Sequence, residues 1–123
     1  MKAYRILVTG SRDWNDLDMV RDNLATAIYQ NVPAIIVHGA CPRGADAIAS
    51  WWTRQNRALG ITEEAHPANW QANGKRAGLI RNAHMVNLGA DLCLAFIKNG
   101  SRGASHTAAL AEEAGIPVRR WTA

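Results

Sequence analysis

Three short segments bring glycine and arginine together: Gly10-Ser11-Arg12-Asp13-Trp14, Gly39-Ala40-Cys41-Pro42-Arg43-Gly44 and Asn99-Gly100-Ser101-Arg102-Gly103. Glycine lets the backbone reach positive φ and approach a ligand, and free N–H groups at a helix start favour an anion. Gly44 and Gly103 stand where helices should begin. A guanidinium matches phosphate oxygens with two parallel hydrogen bonds, and Arg12, Arg43 and Arg102 supply one per segment. Any single segment could be a plain turn with a solubilising arginine. Three of like composition point to a phosphate-bearing ligand.

Asp46 falls in the first turn of a helix, where a carboxylate is favoured by the helix dipole and can bond backbone N–H groups. That structural role is the preferred one. Lys75, Arg76 and Arg81 add a positive cluster, while Trp14 and Trp70 are the candidates for stacking on a base. His84 and His106 could move protons near neutral pH, or could be helix-surface residues. Cys41 reads as loop packing in preference to a nucleophile, and Cys93 as core.

These residues need a scaffold. An apolar run over Tyr4 to Thr9 reads as a buried strand, followed by a helix from about Asp16 to Gln30 capped by Asn15. A second strand, Ala34 to His38, leads into a helix carrying Ala45, Ile48, Ala49, Trp52 and Leu59 on one face. Ile61 to His66 is a polar third strand, expected at an edge and ended by Pro67. Residues 67 to 78 read first as loop, then a helix runs from about Leu79 to Leu88. Asp91 to Phe96 is a fourth strand, a helix bearing Thr107, Leu110, Ala111 and Ala114 ends at Gly115, and Pro117 to Trp121 is the last strand.

Strands alternating with helices require crossovers, so the expected fold is a single Rossmann-like three-layer α/β domain over residues 1–123, with a mostly parallel sheet of about five strands and helices on both faces. In such sheets ligands bind outside the carboxyl ends of the strands. The three glycine segments follow the first, second and fourth strands, and belong on that rim.

The chain has 123 residues, 48% hydrophobic and 20% charged, which is the profile of a globular domain and not of a disordered one. Its formal charge of +4 comes from scattered lysines and arginines, so nucleic-acid binding is open but not favoured. Two cysteines with no secretory signal point to the cytoplasm, scattered histidines give no metal set, and no segment suits a membrane. No cofactor is expected, and both the dinucleotide fingerprint and the GK[ST] phosphate loop are missing. Trp51 beside Arg54 and Arg57 suits a homo-oligomer contact, with single-stranded nucleic acid as the alternative.

Gly10-Ser11-Arg12-Asp13-Trp14, His38 to Asp46 and the segment Gly74 to Met85 together resemble the YspA/cpYpsA-related branch of the SLOG superfamily, over nearly the whole chain. The resemblance implies a Rossmann-like fold that binds nucleotides or nucleotide-derived signals. Its LOG-type relatives are nucleoside-monophosphate phosphoribohydrolases, with an Arg-Lys-x-x-Met segment supplying a catalytic arginine and a Gly-Gly-x-Gly-Thr-x-x-Glu loop supplying a glutamate. Arg81-Asn82-Ala83-His84-Met85 matches the first except at Asn82, which makes Arg81 the catalytic candidate should the chain be an enzyme. Gly100 to Thr107 follows the second with Thr107 in the glutamate's place, and threonine cannot stabilise a cationic sugar or activate water as a carboxylate does. Asp13, Asp46, Glu112 and Glu113 are the substitutes the sequence offers. Binding of a nucleotide or nucleotide-derived ligand without turnover is therefore the leading expectation, ahead of a LOG-type hydrolase and of a single-stranded DNA-binding accessory like DprA.

Overall fold

In a computed structural model, described here over residues 2–123, five parallel strands form one sheet in the order β3-β2-β1-β4-β5. The strands are β1 (Tyr4–Gly10), β2 (Ala34–His38), β3 (Ile61–Ala65), β4 (Leu92–Ile97) and β5 (Val118–Thr122). The helices are α1 (Leu17–Ile28), α2 (Ala45–Gln55), α3 (Trp70–Asn73), α4 (Ala77–Asn87) and α5 (Arg102–Glu113).

Strand side chains alternate between faces, and the pattern sorts the core into two sides. Ile6 and Val8 of β1, with Leu92, Leu94 and Phe96 of β4, pack against Val20 and Leu24 of α1 and Ala49 and Trp52 of α2. Leu7 and Cys93 face the other way, onto Met85 and Val86 of α4 and Ala111 of α5. Burial among hydrocarbon pushes the Cys93 thiol up to about 12, so it stays protonated. The expected three-layer α/β arrangement is thus present, with the polar β3 at one edge of the sheet.

Several boundaries differ from those expected. Asp16, and not Asn15, caps α1: its Oδ1 accepts the Met19 N–H at 3.0 Å, while Asn15 receives the Lys98 ammonium at 3.3 Å. The segment 67–78 is not plain loop. Asn69 Oδ1 accepts the Ala72 N–H at 3.0 Å and starts the single turn α3, a 3₁₀ turn covers Gly74–Arg76, and α4 begins at Ala77 instead of Leu79. Leu59 belongs to a separate 3₁₀ turn behind α2 and is exposed.

A charged strap crosses one face of the sheet over β2. Arg5 on β1 forms paired bonds to Glu64 of β3 at 2.9 and 2.8 Å, and Glu64 Oε2 lies 2.8 Å from His66 Nε2. The Arg5 guanidinium, followed by His66, holds the Glu64 carboxyl down at about 2 from an ordinary 4.5. A carboxyl so depressed lends stability above its unfolded pKa, and this is lost as pH falls through the folded one. Glu64→Gln is therefore expected to flatten the acid limb between about pH 4.5 and 2, as read by urea melts across that range. Unchanged acid dependence would show the strap to be solvent-screened throughout.

Candidate functional site

Strand order reverses between β1 and β4, since β2 and β3 lie on one side of β1 and β4 and β5 on the other. At such a switch point the connections leave in opposite directions and open a crevice above the strand ends. Ser11 ties that crevice together. Its N–H donates to the Phe96 carbonyl at 2.9 Å, its Oγ accepts the Lys98 N–H at 2.7 Å, and the hydroxyl lies 3.2 Å from the Lys98 carbonyl. The Ser11 carbonyl accepts from Ala45 N–H at the start of α2 at 3.4 Å. Asn99 Nδ2 donates to Asp13 Oδ2 at 2.9 Å. Segments 10–13, 39–46 and 98–104 thus converge on one rim.

Gly44 makes the contact between two of them. It has φ +79° and ψ −153°, a region closed to residues with a Cβ, and a Cβ there would stand 2.2 Å from the Ser11 carbonyl oxygen. The loop before it is fastened from below by Asp46, 8% exposed, whose Oδ2 accepts Gly39 N–H at 3.1 Å and Cys41 N–H at 3.4 Å. Burial raises the Asp46 pKa above the ordinary carboxylate value, against the pull of His38, the two N–H donors and Arg81. Asp46, a candidate both for ligand binding and for a structural role, here accepts two backbone N–H groups of the loop. His38 beneath it is buried. Its Nδ1 accepts Ala40 N–H at 3.0 Å, which leaves the proton on Nε2, 3.1 Å from Glu63 Oε1 but out of line for a good hydrogen bond.

Arg81 lies across the loop from α4. Its Nη1 donates to the Gly39 carbonyl and, at 3.2 Å, to the His66 carbonyl, and its Nε donates to Asn82 Oδ1 at 2.7 Å. A Cβ on Gly39 would fall 2.5 Å from Nη1, so only glycine admits the guanidinium this closely. Burial lowers the Arg81 pKa while Asp46 raises it, and a guanidinium stays charged at any physiological pH. Two carbonyls and an amide oxygen thus fix the cation at the wall of the crevice.

The crevice is a cleft of about 620 Å³. Five cations line it, Arg12, Arg43, Lys75, Arg81 and Lys98, against two carboxylates, Asp13 and Asp46. Of the candidates from sequence, Gly10, Ser11, Gly39, Asn82, Ser101 and Gly103 also reach it. Gly44 supports it from behind, whereas Gly100 and Arg102 are not among its walls. Arg102 opens α5 with its side chain exposed, while Ser101 caps that helix through Oγ to Ala104 N–H at 3.5 Å. Lys98 took Arg102's place. The sequence signal for it was weak, a lysine one residue past a strand; its backbone is held at the rim by the Ser11 hydroxyl, and its ammonium donates to Asn15 Oδ1 at 3.3 Å.

A second compartment of about 780 Å³ adjoins the first and shares Arg12, Gly39, Cys41, Arg43 and Arg81 with it. Its other walls include Pro42, Pro67 and Trp70. Trp70 is 50% exposed, with the Arg12 guanidinium 5.9 Å from its ring centre. Trp14 corrects an expectation. It is 4% exposed, packs on Phe96 at 5.4 Å between ring centres and donates its indole N–H to the Asp16 carbonyl at 3.0 Å, so it seals the loop and has no free face for a base.

The remaining candidates scatter. Thr107 is fully buried with its hydroxyl bonded back to the Gly103 carbonyl at 2.9 Å, and Glu112 pairs with Arg120 at the far end of α5. Neither Glu112, Glu113 nor His106 borders the cleft, and His84 packs edge-on against His66 at 5.5 Å. Among the described residues no group of three or more His, Cys, Asp or Glu side chains is placed to hold a metal, and no helix is long and apolar enough to cross a membrane.

Comparison with known proteins agrees with this architecture. The chain is 44% identical over 117 residues to the Gene 61 protein of Mycobacterium phage D29, covering 93% of each. Its fold is similar to that of the Moco carrier protein from Chlamydomonas reinhardtii, with a TM-score of 0.69 over 99% of this chain and 78% of the other at 17% identity, a level that speaks for the fold alone. Residues 4–72, which hold the first two glycine loops, β1 to β3 and Trp70, match the profile of the YspA, cpYpsA-related SLOG family. Together with the parallel sheet and the switch-point cleft, that match establishes that the chain belongs to the YspA, cpYpsA-related SLOG family.

Proposed function

We propose that this protein binds a nucleotide or a nucleotide-derived phosphorylated ligand in the cleft between β1 and β4, as a cytoplasmic binding or sensing module. The observation that carries the reading is the charge of the cleft, five cations against two carboxylates, one of which is committed to backbone. An excess of this kind inside a concave site concentrates anions. The phosphate would lie over Ser11, Arg12 and the start of α5 at Ser101 and Gly103, within reach of Arg43, Lys75, Arg81 and Lys98, with Asn82 behind Arg81 and a base toward Trp70. Membership of a SLOG family supports a small-molecule ligand here.

Binding without turnover fits better than LOG-type hydrolysis. The buried, back-bonded Thr107 occupies the position of the missing glutamate, and Asp13 is the one cleft carboxylate not tied to backbone, held by Asn99. A homo-oligomer is proposed on Trp51, half-exposed on α2 beside Arg54. The test of the binding reading is a titration of isotopically labelled chain with nucleoside mono- and diphosphates, following backbone amides. Saturable shifts in the three loops are expected, and none at millimolar ligand overturns the reading.

A further inference from the structure

Arg12 lines both compartments, and its guanidinium covers the ring of Trp70 at 5.9 Å. A cation above an indole is attracted by the ring's negative face, by a modest amount where both are exposed. Both are exposed here. One face of Trp70, in the compartment that both residues line, is therefore covered by the same cation that lines the phosphate cleft. No carboxylate lines the second compartment to hold Arg12 there by charge, and the neighbouring Arg81 and Arg43 repel it. Trp70 is accordingly the contact that competes with a ligand in the cleft for the Arg12 guanidinium.

We propose that Arg12 is a two-position side chain that couples the compartments: a planar ring stacking on Trp70 displaces the guanidinium, which then turns onto a phosphate carried by the same molecule. The inference rests on the binding reading above and deepens it. The site selects a ligand bearing a ring and a phosphate together, about one nucleotide in extent, and discriminates against either half alone. With the ring absent, a phosphate compound must pull Arg12 off Trp70 at its own cost. With the phosphate absent, a nucleoside must displace a cation that gains no new partner.

This arrangement has a signature that independent subsites lack, because removing Trp70 must help one ligand and harm another. The probes are AMP, adenosine and ribose 5-phosphate, titrated calorimetrically into the whole chain. Trp70→Leu is expected to weaken AMP about 10-fold or more through the lost stack, and to tighten ribose 5-phosphate about 2- to 5-fold by releasing Arg12. Arg12→Gln is expected to weaken ribose 5-phosphate about 10-fold and to abolish the tightening when combined with Trp70→Leu. Trp70 is half-exposed and Arg12 exposed, so both variants should keep the fold, which thermal melts check. If AMP shifts the three loops yet Trp70→Leu leaves ribose 5-phosphate unchanged or weaker, the coupling is wrong and the binding reading stands. If no probe binds the unaltered chain, both fall.

Discussion

Replacing Gly44 by alanine should lower the melting temperature by more than about 10 °C and erase ligand binding along with it. The backbone at Gly44, φ +79° and ψ −153°, lies where a Cβ costs about 1–3 kcal/mol in strain alone. Sterics add to that, since the new methyl would meet the Ser11 carbonyl oxygen at 2.2 Å and Arg12 Cα at 2.7 Å, both of them backbone. Relief requires the β1 loop to part from the start of α2, which breaks the Ala45 to Ser11 hydrogen bond and opens the switch point. At this chain length each kcal/mol is worth roughly 3–6 °C. Gly100→Ala is the control: φ is also positive, at +62°, but no atom stands within 4 Å of the added Cβ, so the cost should stay near 1–2 kcal/mol. Circular-dichroism melts of the two variants settle the comparison, and equal melting temperatures would mean that the loops are not in contact as described.

Arg81→Ala should weaken nucleotide binding by about 10- to 100-fold, the range for losing hydrogen bonds to a charged group, measured by calorimetry. The loss has two sources. One cation leaves the cleft, and the carbonyls of Gly39 and His66 lose the donor that clamps the second loop against the segment before α3. Arg81→Lys separates them. An ammonium restores the charge but cannot serve Gly39, His66 and Asn82 in the fork geometry of a guanidinium, so it should recover only part of the affinity. Full recovery with lysine would reduce Arg81 to a point charge with no clamping role.

Fold and rim were legible because glycine, β-rich runs and helical periodicity repeat as a unit, and even the polar Ile61–Ala65 could be read as an edge strand from its polarity and the proline behind it. Choices between neighbours of like chemistry were not. Asn15 and Asp16 cap equally well on paper, and what separates them is Lys98, 83 residues away, which takes Asn15 for itself. The turn Trp70–Asn73 is too short to show periodicity, so only its Asn69 cap announces it.

Among site residues, those acting through backbone were easiest to place. Gly39, Gly44 and Asp46 have local reasons to be where they are. Side chains were harder, because their direction depends on packing across the sheet. Trp14 looked like a free indole beside a phosphate loop, yet Phe96, itself stacked on Trp121 at 4.9 Å, gives it an apolar bed that outweighs exposure. Arg102 and Lys98 exchanged roles for a similar reason, since the first turn of α5 faces Arg102 outward while the backbone bonds to Ser11 bring the Lys98 segment to the cleft.

The amide titration reads the location of the ligand residue by residue. Adding a nucleoside monophosphate should move the backbone signals of Ser11 to Asp13, Gly39 to Cys41 and Lys98 to Ala104 along a common saturation curve, with the β3 edge and the far ends of α2 and α5 unmoved. Shifts confined to the surface around Trp51, or distributed without saturation, would contradict it.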